Sequence, residues 1–122
     1  MTTPSLGDRP PLRIGLIGFG AIGATVWREL LGAPDRVSLV GLLLRPDPNP
    51  GRPGPAAARA AGVPLVHDID ALMALGPQVV LECAGHAAVD AYGEAALRAG
   101  ADLVVVSAGA LAQADRHDRL LA

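Results

Sequence analysis

The chain has 122 residues, of which 51% are hydrophobic and 18% charged, and this composition is typical of one globular domain that packs its own core. Ten arginines, no lysine and twelve acidic residues give a net charge of −2, and the charges form no basic block of the kind that nucleic-acid binding requires. No apolar run approaches the ~20 residues of a membrane span, so nucleic-acid and membrane partners are not expected.

The first predicted unit is a strand followed by a helix. Residues 1–11 are rich in Thr, Pro, Ser and Gly, and we expect them to form a disordered extension. Leu12–Ile17 is a short apolar run typical of a strand that is buried on both faces. After Ala21 the apolar period changes to that of a helix, which would pack through Ile22, Val26 and Leu30.

The alternation of strands and helices continues to the end of the chain. Val37–Leu44 predicts a second strand, and the five prolines of residues 46–55 predict a surface loop. An Ala-rich helical turn is expected over Ala56–Ala61. The remaining predicted elements are a strand over Val63–Val66, a helix capped by Asp68 over Ala71–Leu75, a strand over Gln78–Cys83, a helix over 87–99, a strand over Leu103–Ser107 and a helix after Leu111.

Strict alternation of buried strands with helices predicts an α/β fold. Right-handed crossovers would produce a doubly wound parallel sheet of about five strands, in a single domain over 12–122. Four predicted helices are each followed by a glycine that can adopt a left-handed cap, namely Gly32, Gly62, Gly76 and Gly100. Such sheets bind ligands outside the carboxyl ends of their strands, at the point where the strand order reverses.

A glycine-rich motif lies at the first of these strand ends. Residues 18–23 fit G-x-G-x-x-G, and they follow a predicted strand and open a predicted helix, as the Rossmann-type dinucleotide-binding fold requires. In this interpretation the first glycine permits the tight turn, the second lets the backbone approach a pyrophosphate, and the third lets helix and strand pack closely. The candidate cofactor-binding residues here are Gly18, Gly20, Ala21, Ile22 and Gly23.

The end of the second strand carries the residue that distinguishes NAD from NADP. An acidic residue usually holds the adenosine ribose of NAD at this position, but this chain has Arg45. A guanidinium can pair with the 2′-phosphate of NADP, so either NAD or NADP is expected as the cofactor. The alternatives are that Arg45 is a solvated loop charge and that nearby Asp47 reaches the ribose.

The ends of the fourth and fifth predicted strands supply a second group of small residues. Backbone at these positions can lie against a flat ring, and a serine can donate a hydrogen bond to an amide oxygen. The candidate cofactor-binding residues from these two loops are Ala84, Gly85, His86, Ser107, Ala108 and Gly109.

Two further residues near these loops have structural interpretations. Glu82 lies at a buried strand end, where its carboxylate must either bind backbone N–H groups or face the cleft, and we favour the first. Cys83 has no activating neighbour and is expected to be an inert, buried thiol. One cysteine and three scattered histidines have no recognisable zinc spacing, so no metal site is predicted.

Three segments together resemble a known enzyme family. Ile14–Gly23, Glu82–Val89 and Val105–Leu111 closely resemble the N-terminal domain of L-aspartate dehydrogenase, which is related to the NAD-binding domain of homoserine dehydrogenase. The resemblance covers nearly the whole chain from Leu12 onward. The first segment is general to Rossmann proteins, whereas the second and third together are much more specific.

The resemblance implies an NAD(P)-dependent oxidoreductase of amino-acid metabolism. Such an enzyme oxidises L-aspartate to iminosuccinate, which is hydrolysed to oxaloacetate and ammonia or passed toward NAD biosynthesis. In the family, a second, C-terminal domain forms the substrate cleft, supplies the catalytic histidine and builds much of the subunit interface. This chain ends at Ala122 without a match to that domain, so we assign no catalytic residue and expect L-aspartate to bind only when that domain is present.

Other interpretations stay open from the sequence. The chain is expected to be a fragment or one half of a split protein, but a stand-alone NAD(P)-binding or sensing module is a second hypothesis. A fragment of a homoserine dehydrogenase-like enzyme is a third. A homo-oligomer is compatible with all three, and the absence of a recognisable secretory signal predicts a cytoplasmic location.

Overall fold

The computed structural model describes residues 9–46 and 52–106, which form one five-stranded parallel sheet with helices on both faces. The predicted helix after Leu111 and the expected disorder of residues 1–8 lie outside the described residues. The elements in chain order are β1 (Leu12–Ile17), α1 (Ala21–Leu31), β2 (Val37–Leu43), α2 (Pro53–Ala61), β3 (Leu65–Val66), α3 (Ile69–Ala74), β4 (Val79–Glu82), α4 (His86–Arg98) and β5 (Asp102–Val105).

The strand order places a topological switch at the centre of the sheet. The order is β3-β2-β1-β4-β5, and every pairing is parallel. The chain winds outward from β1 through β2 to β3, then crosses back to β4 and winds to the opposite edge. The loops that follow β1 and β4 therefore leave the sheet in opposite directions, which opens a crevice between them.

Two apolar cores cover the two faces of the sheet. Because side chains alternate along a strand, Leu16 and Ile17 point to opposite sides. Leu16 packs with Trp27 of α1 and Ala58 of α2, whereas Ile17 packs with Leu72 of α3 and residues of α4. The predicted doubly wound α/β fold is confirmed.

Helix α1 packs through a different face from the one predicted. Ile22 is 57% exposed, while Gly23 and Trp27 are the buried residues of this helix. The shift of one residue turns the buried face by about 100°. Its physical cause is the close approach of Gly23 to the β1–α1 turn, which a residue with a side chain would prevent.

Two further predictions are wrong in detail. Helix α2 begins at Pro53, inside the predicted loop, because prolines are tolerated in a first helical turn whose N–H groups have no intrahelical acceptor. Gly32 ends α1 with φ −76° and is not left-handed. The other predicted caps, Gly62, Gly76 and Gly100, do have positive φ.

Helix α3 begins as the sequence predicts, with the Asp68 side chain accepting a hydrogen bond from the backbone N–H of Ala71. Within residues 9–46 and 52–106, no helix has the length and apolar character needed to cross a membrane.

Candidate functional site

The loops that follow β1 and β4 meet at the switch point. A Cβ atom on Gly18 would lie 2.7 Å from the Cβ of Ala84, and Gly18 has φ +94°. Both the backbone conformation and the space therefore require glycine at this position. This contact holds the glycine-rich turn against the start of the β4–α4 loop.

The second and third glycines of the motif differ in what surrounds them. A Cβ on Gly23 would lie 2.6 Å from the carbonyl oxygen of Gly18, so Gly23 is required for the helix to pack against its own turn. A Cβ on Gly20 would meet nothing within 4 Å, and φ −77° is open to any residue. The fold itself does not require a glycine at position 20, and the bare backbone there leaves room for a ligand.

A buried carboxylate shapes the β4–α4 loop. Glu82 is 1% exposed, and its Oε1 accepts hydrogen bonds of 2.7 Å from the backbone N–H groups of both Ala84 and Gly85. Gly85, at φ +121°, then forms the N-cap of α4. The predicted structural role of Glu82 is confirmed.

Cys83 contributes a thiol to the cleft wall. Burial raises the pKa of this thiol, and the nearby Glu82 carboxylate raises it further. A raised pKa keeps the sulfur protonated at neutral pH, which is the opposite of what an activated nucleophile needs. The prediction of an inert thiol is confirmed.

The loops enclose a cleft of about 570 Å³, within the usual size range of small-molecule sites. Its wall combines the ends of β1, β2 and β4 with the first turns of α2 and α4. The lining residues are Ile17, Gly18, Phe19, Gly20, Leu43, Leu44, Arg45, Arg52, Pro53, Gly54, Pro55, Cys83, Ala84, Ala87, Ala88, Ala91 and Tyr92.

The electrostatic environment of this cleft favours an anion. Two of the described lining residues, Arg45 and Arg52, are cationic, and none of the described lining residues is Asp or Glu. Helices α1, α2 and α4 all begin at the cleft, and none has an acidic residue in its first turn. Backbone N–H groups and the positive ends of the helix dipoles therefore face the cleft without a neutralising carboxylate.

The structure brings some of the predicted residues together and separates others. Gly18, Gly20, Arg45 and Ala84 line the cleft. The residues at the starts of α1 and α4 that stand behind this lining are Ala21, Ile22, Gly23, Gly85 and His86. Ser107, Ala108 and Gly109 lie outside the described residues.

Sequence reasoning missed the contribution of α2. Gly54 packs against Leu44 and Phe19, where a Cβ would lie 2.6 Å and 3.2 Å from their nearest side-chain atoms. This contact draws the start of α2, and Arg52 with it, to the cleft. The available signal was a helix that starts on proline, since a proline at the first helical position is a recognised start pattern.

The fold and cleft together define a Rossmann-type dinucleotide-binding domain. The bare backbone at Gly20, the helix starts and the acid-free wall suit the pyrophosphate of a dinucleotide. Within the described residues, no group of three or more His, Cys, Asp or Glu side chains is placed to hold a metal ion.

The comparisons identify the family. The family described as "Homoserine dehydrogenase, NAD binding domain" matches residues 18–122, and the chain belongs to it. L-aspartate dehydrogenase 1 of Bordetella parapertussis is 44% identical over 102 residues, which cover 84% of this chain and 36% of that protein. L-aspartate dehydrogenase of Ruegeria pomeroyi is 43% identical over 108 residues, covering 88% and 35%.

The fold has a similar counterpart among solved structures. The WlbA dehydrogenase from Bordetella pertussis, in complex with NADH and UDP-GlcNAcA, superimposes with a TM-score of 0.73 and 21% identity, covering 91% of this chain and 32% of that one. This chain spans about a third of the length of all three proteins.

Proposed function

We propose that this chain is the NAD(P)-binding part of an L-aspartate dehydrogenase-like oxidoreductase. The observation that carries the proposal is the glycine-lined, acid-free cleft at the switch between β1 and β4. The identity of 43–44% to proteins named L-aspartate dehydrogenase, across most of the chain, supports the choice of reaction.

The cleft residues suggest how the dinucleotide is held. The pyrophosphate would bind the backbone of Gly18 and Gly20 and the start of α1. Arg45, at the end of β2, would face the adenosine ribose, where its charge favours a 2′-phosphate, so NADP is expected to bind at least as well as NAD. Ala84 and the start of α4 would lie beside the other half of the molecule.

The proposed reaction is hydride transfer from the α-carbon of L-aspartate. When bound, the nicotinamide ring supplies the hydride acceptor. The role of this chain is to bind and orient that ring, because hydride transfer requires the reacting carbon atoms to be in contact with water excluded. We assign no catalytic residue within this chain and infer that residues outside it complete the substrate cleft and supply the base.

Binding is the direct test of this proposal. Calorimetric titration of the 122-residue chain with NAD⁺ and NADP⁺ should detect binding of at least one of them. ATP serves as a control for general affinity toward nucleotide phosphates. A chain that is folded by circular dichroism and binds neither dinucleotide contradicts the proposal.

Activity tests the reaction separately. The chain alone should not reduce NAD(P)⁺ in the presence of L-aspartate. A chimera in which residues 1–122 replace the matching part of the Bordetella parapertussis enzyme should do so, with L-homoserine as the competing substrate. Steady aspartate-dependent reduction by the chain alone would place the active site within it, and a preference of the chimera for homoserine would point to the other substrate class.

A stand-alone binding or sensing module remains the competing hypothesis from the sequence. It predicts dinucleotide binding without aspartate oxidation in any chimera. The cytoplasmic location and the oligomeric state remain predictions.

A further inference from the structure

The cleft contains a second cation that the glycine motif does not explain. Arg52 lies seven positions after Arg45, and both line the same cleft. Packing brings them there, because Gly54 is pressed against Leu44, the neighbour of Arg45 in the chain. Each arginine is thus within two residues of one close contact between the end of β2 and the start of α2.

Arg52 occupies an unfavourable position for a cation. It is the N-cap residue of α2, where the helix dipole is positive, and its side chain makes no capping hydrogen bond. The first turn of α2 has no acidic residue to offset the charge. Helix stability therefore does not explain an arginine at this position, whereas an anionic ligand in the cleft would.

The first turn of α2 also lacks backbone donors. Pro53 and Pro55 are its first and third residues, and proline has no N–H group. A helix start with two of its free N–H groups missing is a weakened anion site. A charged side chain at the N-cap supplies the donors that the backbone cannot.

We propose that Arg52 acts with Arg45 as a pair of guanidinium groups that bind the 2′-phosphate of NADP, making Arg52 a residue that determines dinucleotide specificity. This inference rests on the proposed dinucleotide-binding function. A phosphate dianion accepts charge-assisted hydrogen bonds from two guanidinium groups at once. The 2′-hydroxyl of NAD carries no charge and gains much less from the pair.

The test compares the two cofactors across matched arginine variants of the 122-residue chain. Arg52→Ala should weaken binding of NADP⁺ about tenfold, the scale of one charge-assisted contact, and change NAD⁺ binding by less than about twofold. Adenosine 2′,5′-bisphosphate and adenosine 5′-monophosphate repeat the comparison without the nicotinamide half. Arg52→Lys keeps the charge but loses the two-pronged geometry, so its NADP⁺ affinity should fall between those of the wild type and Arg52→Ala.

Arg59→Ala is the matched control. Arg59 lies on the same helix, in its last turn, and does not line the cleft. This variant should leave both affinities unchanged. Because the Arg52 side chain makes no capping hydrogen bond, Arg52→Ala should keep α2 folded, and circular dichroism verifies this.

The outcomes separate this inference from the function on which it rests. An equal loss for both cofactors, no loss for either, or a wild-type chain that binds NAD⁺ but rejects NADP⁺ overturns the role of Arg52 and leaves the dinucleotide site intact. A wild-type chain that binds neither cofactor contradicts the proposed function itself. A selective loss for NADP⁺ in Arg52→Ala but not in Arg59→Ala supports the pair.

Discussion

Gly20 is the position at which a substitution should separate ligand binding from folding. A Cβ there would meet no atom within 4 Å, and the backbone at φ −77° and ψ −162° is extended and accepts any residue. Gly20→Val should therefore leave the core unchanged. Valine is a poorer N-cap than glycine, so α1 should lose roughly 0.5–1 kcal/mol.

The effect on binding should be larger than the effect on stability. The isopropyl group of valine would occupy the space through which a pyrophosphate approaches the backbone. Losing one charge-assisted hydrogen bond costs about 1.5–3 kcal/mol, which corresponds to a fall in affinity of tenfold or more. Calorimetric titration with NAD⁺ and NADP⁺ measures this fall, which should be similar for both because they share the pyrophosphate.

Gly32→Val is a matched control on the same helix. Gly32 is the C-cap of α1, at the opposite end from Gly20, and it has negative φ. A Cβ there would lie 3.5 Å from the nearest carbonyl oxygens, in ordinary contact. This variant should bind dinucleotide as the wild type does. Equal affinities for the wild type and Gly20→Val would refute the assignment of the pyrophosphate to this turn.

Three further changes test the supports of the cleft. Gly23→Ala places a Cβ 2.6 Å from the Gly18 carbonyl oxygen, so thermal melts should show a loss of up to about 2 kcal/mol after the gain in helix propensity. Glu82→Leu removes the acceptor of two loop N–H groups and should cost about 1–3 kcal/mol more than Glu82→Gln, whose amide oxygen can still accept; equal stabilities would contradict this role. The pKa of Cys83 is raised by burial, so iodoacetamide should modify it more slowly at neutral pH than it modifies glutathione. The same shift contributes stability that is present at neutral pH and lost as the pH rises through the folded-state pKa, and a thiol alkylated as fast as glutathione would contradict it.

Local rules explain why much of the fold could be predicted. The bounds of β1 match the apolar run Leu12–Ile17, because a buried central strand requires apolar side chains on both faces. Asp68 caps α3 as predicted, since a carboxylate at that position satisfies an N–H group within three residues. Such features depend on neighbours in the chain.

Contacts between distant residues explain what the sequence missed. Gly15 and Gly41 read as interruptions in apolar strands, yet they are register partners in β1 and β2. A Cβ on Gly41 would lie 2.7 Å from the Leu75 side chain, and one on Gly15 would lie 3.1 Å from that of Leu72. These glycines let α3 lie close to the sheet, which cannot be inferred without knowing that α3 crosses those two strands.

The sequence by itself determined the alternation of strands and helices, the glycine-rich turn and the identity of Arg45 at a strand end, because period, turn chemistry and charge are local properties of the chain. Only the tertiary structure decided that Gly18 touches Ala84, that α1 buries Trp27 instead of Ile22, and that Arg52 joins Arg45 in one cleft. These outcomes depend on which segments meet after the chain crosses from β3 to β4, and that crossing follows from packing both faces of one sheet.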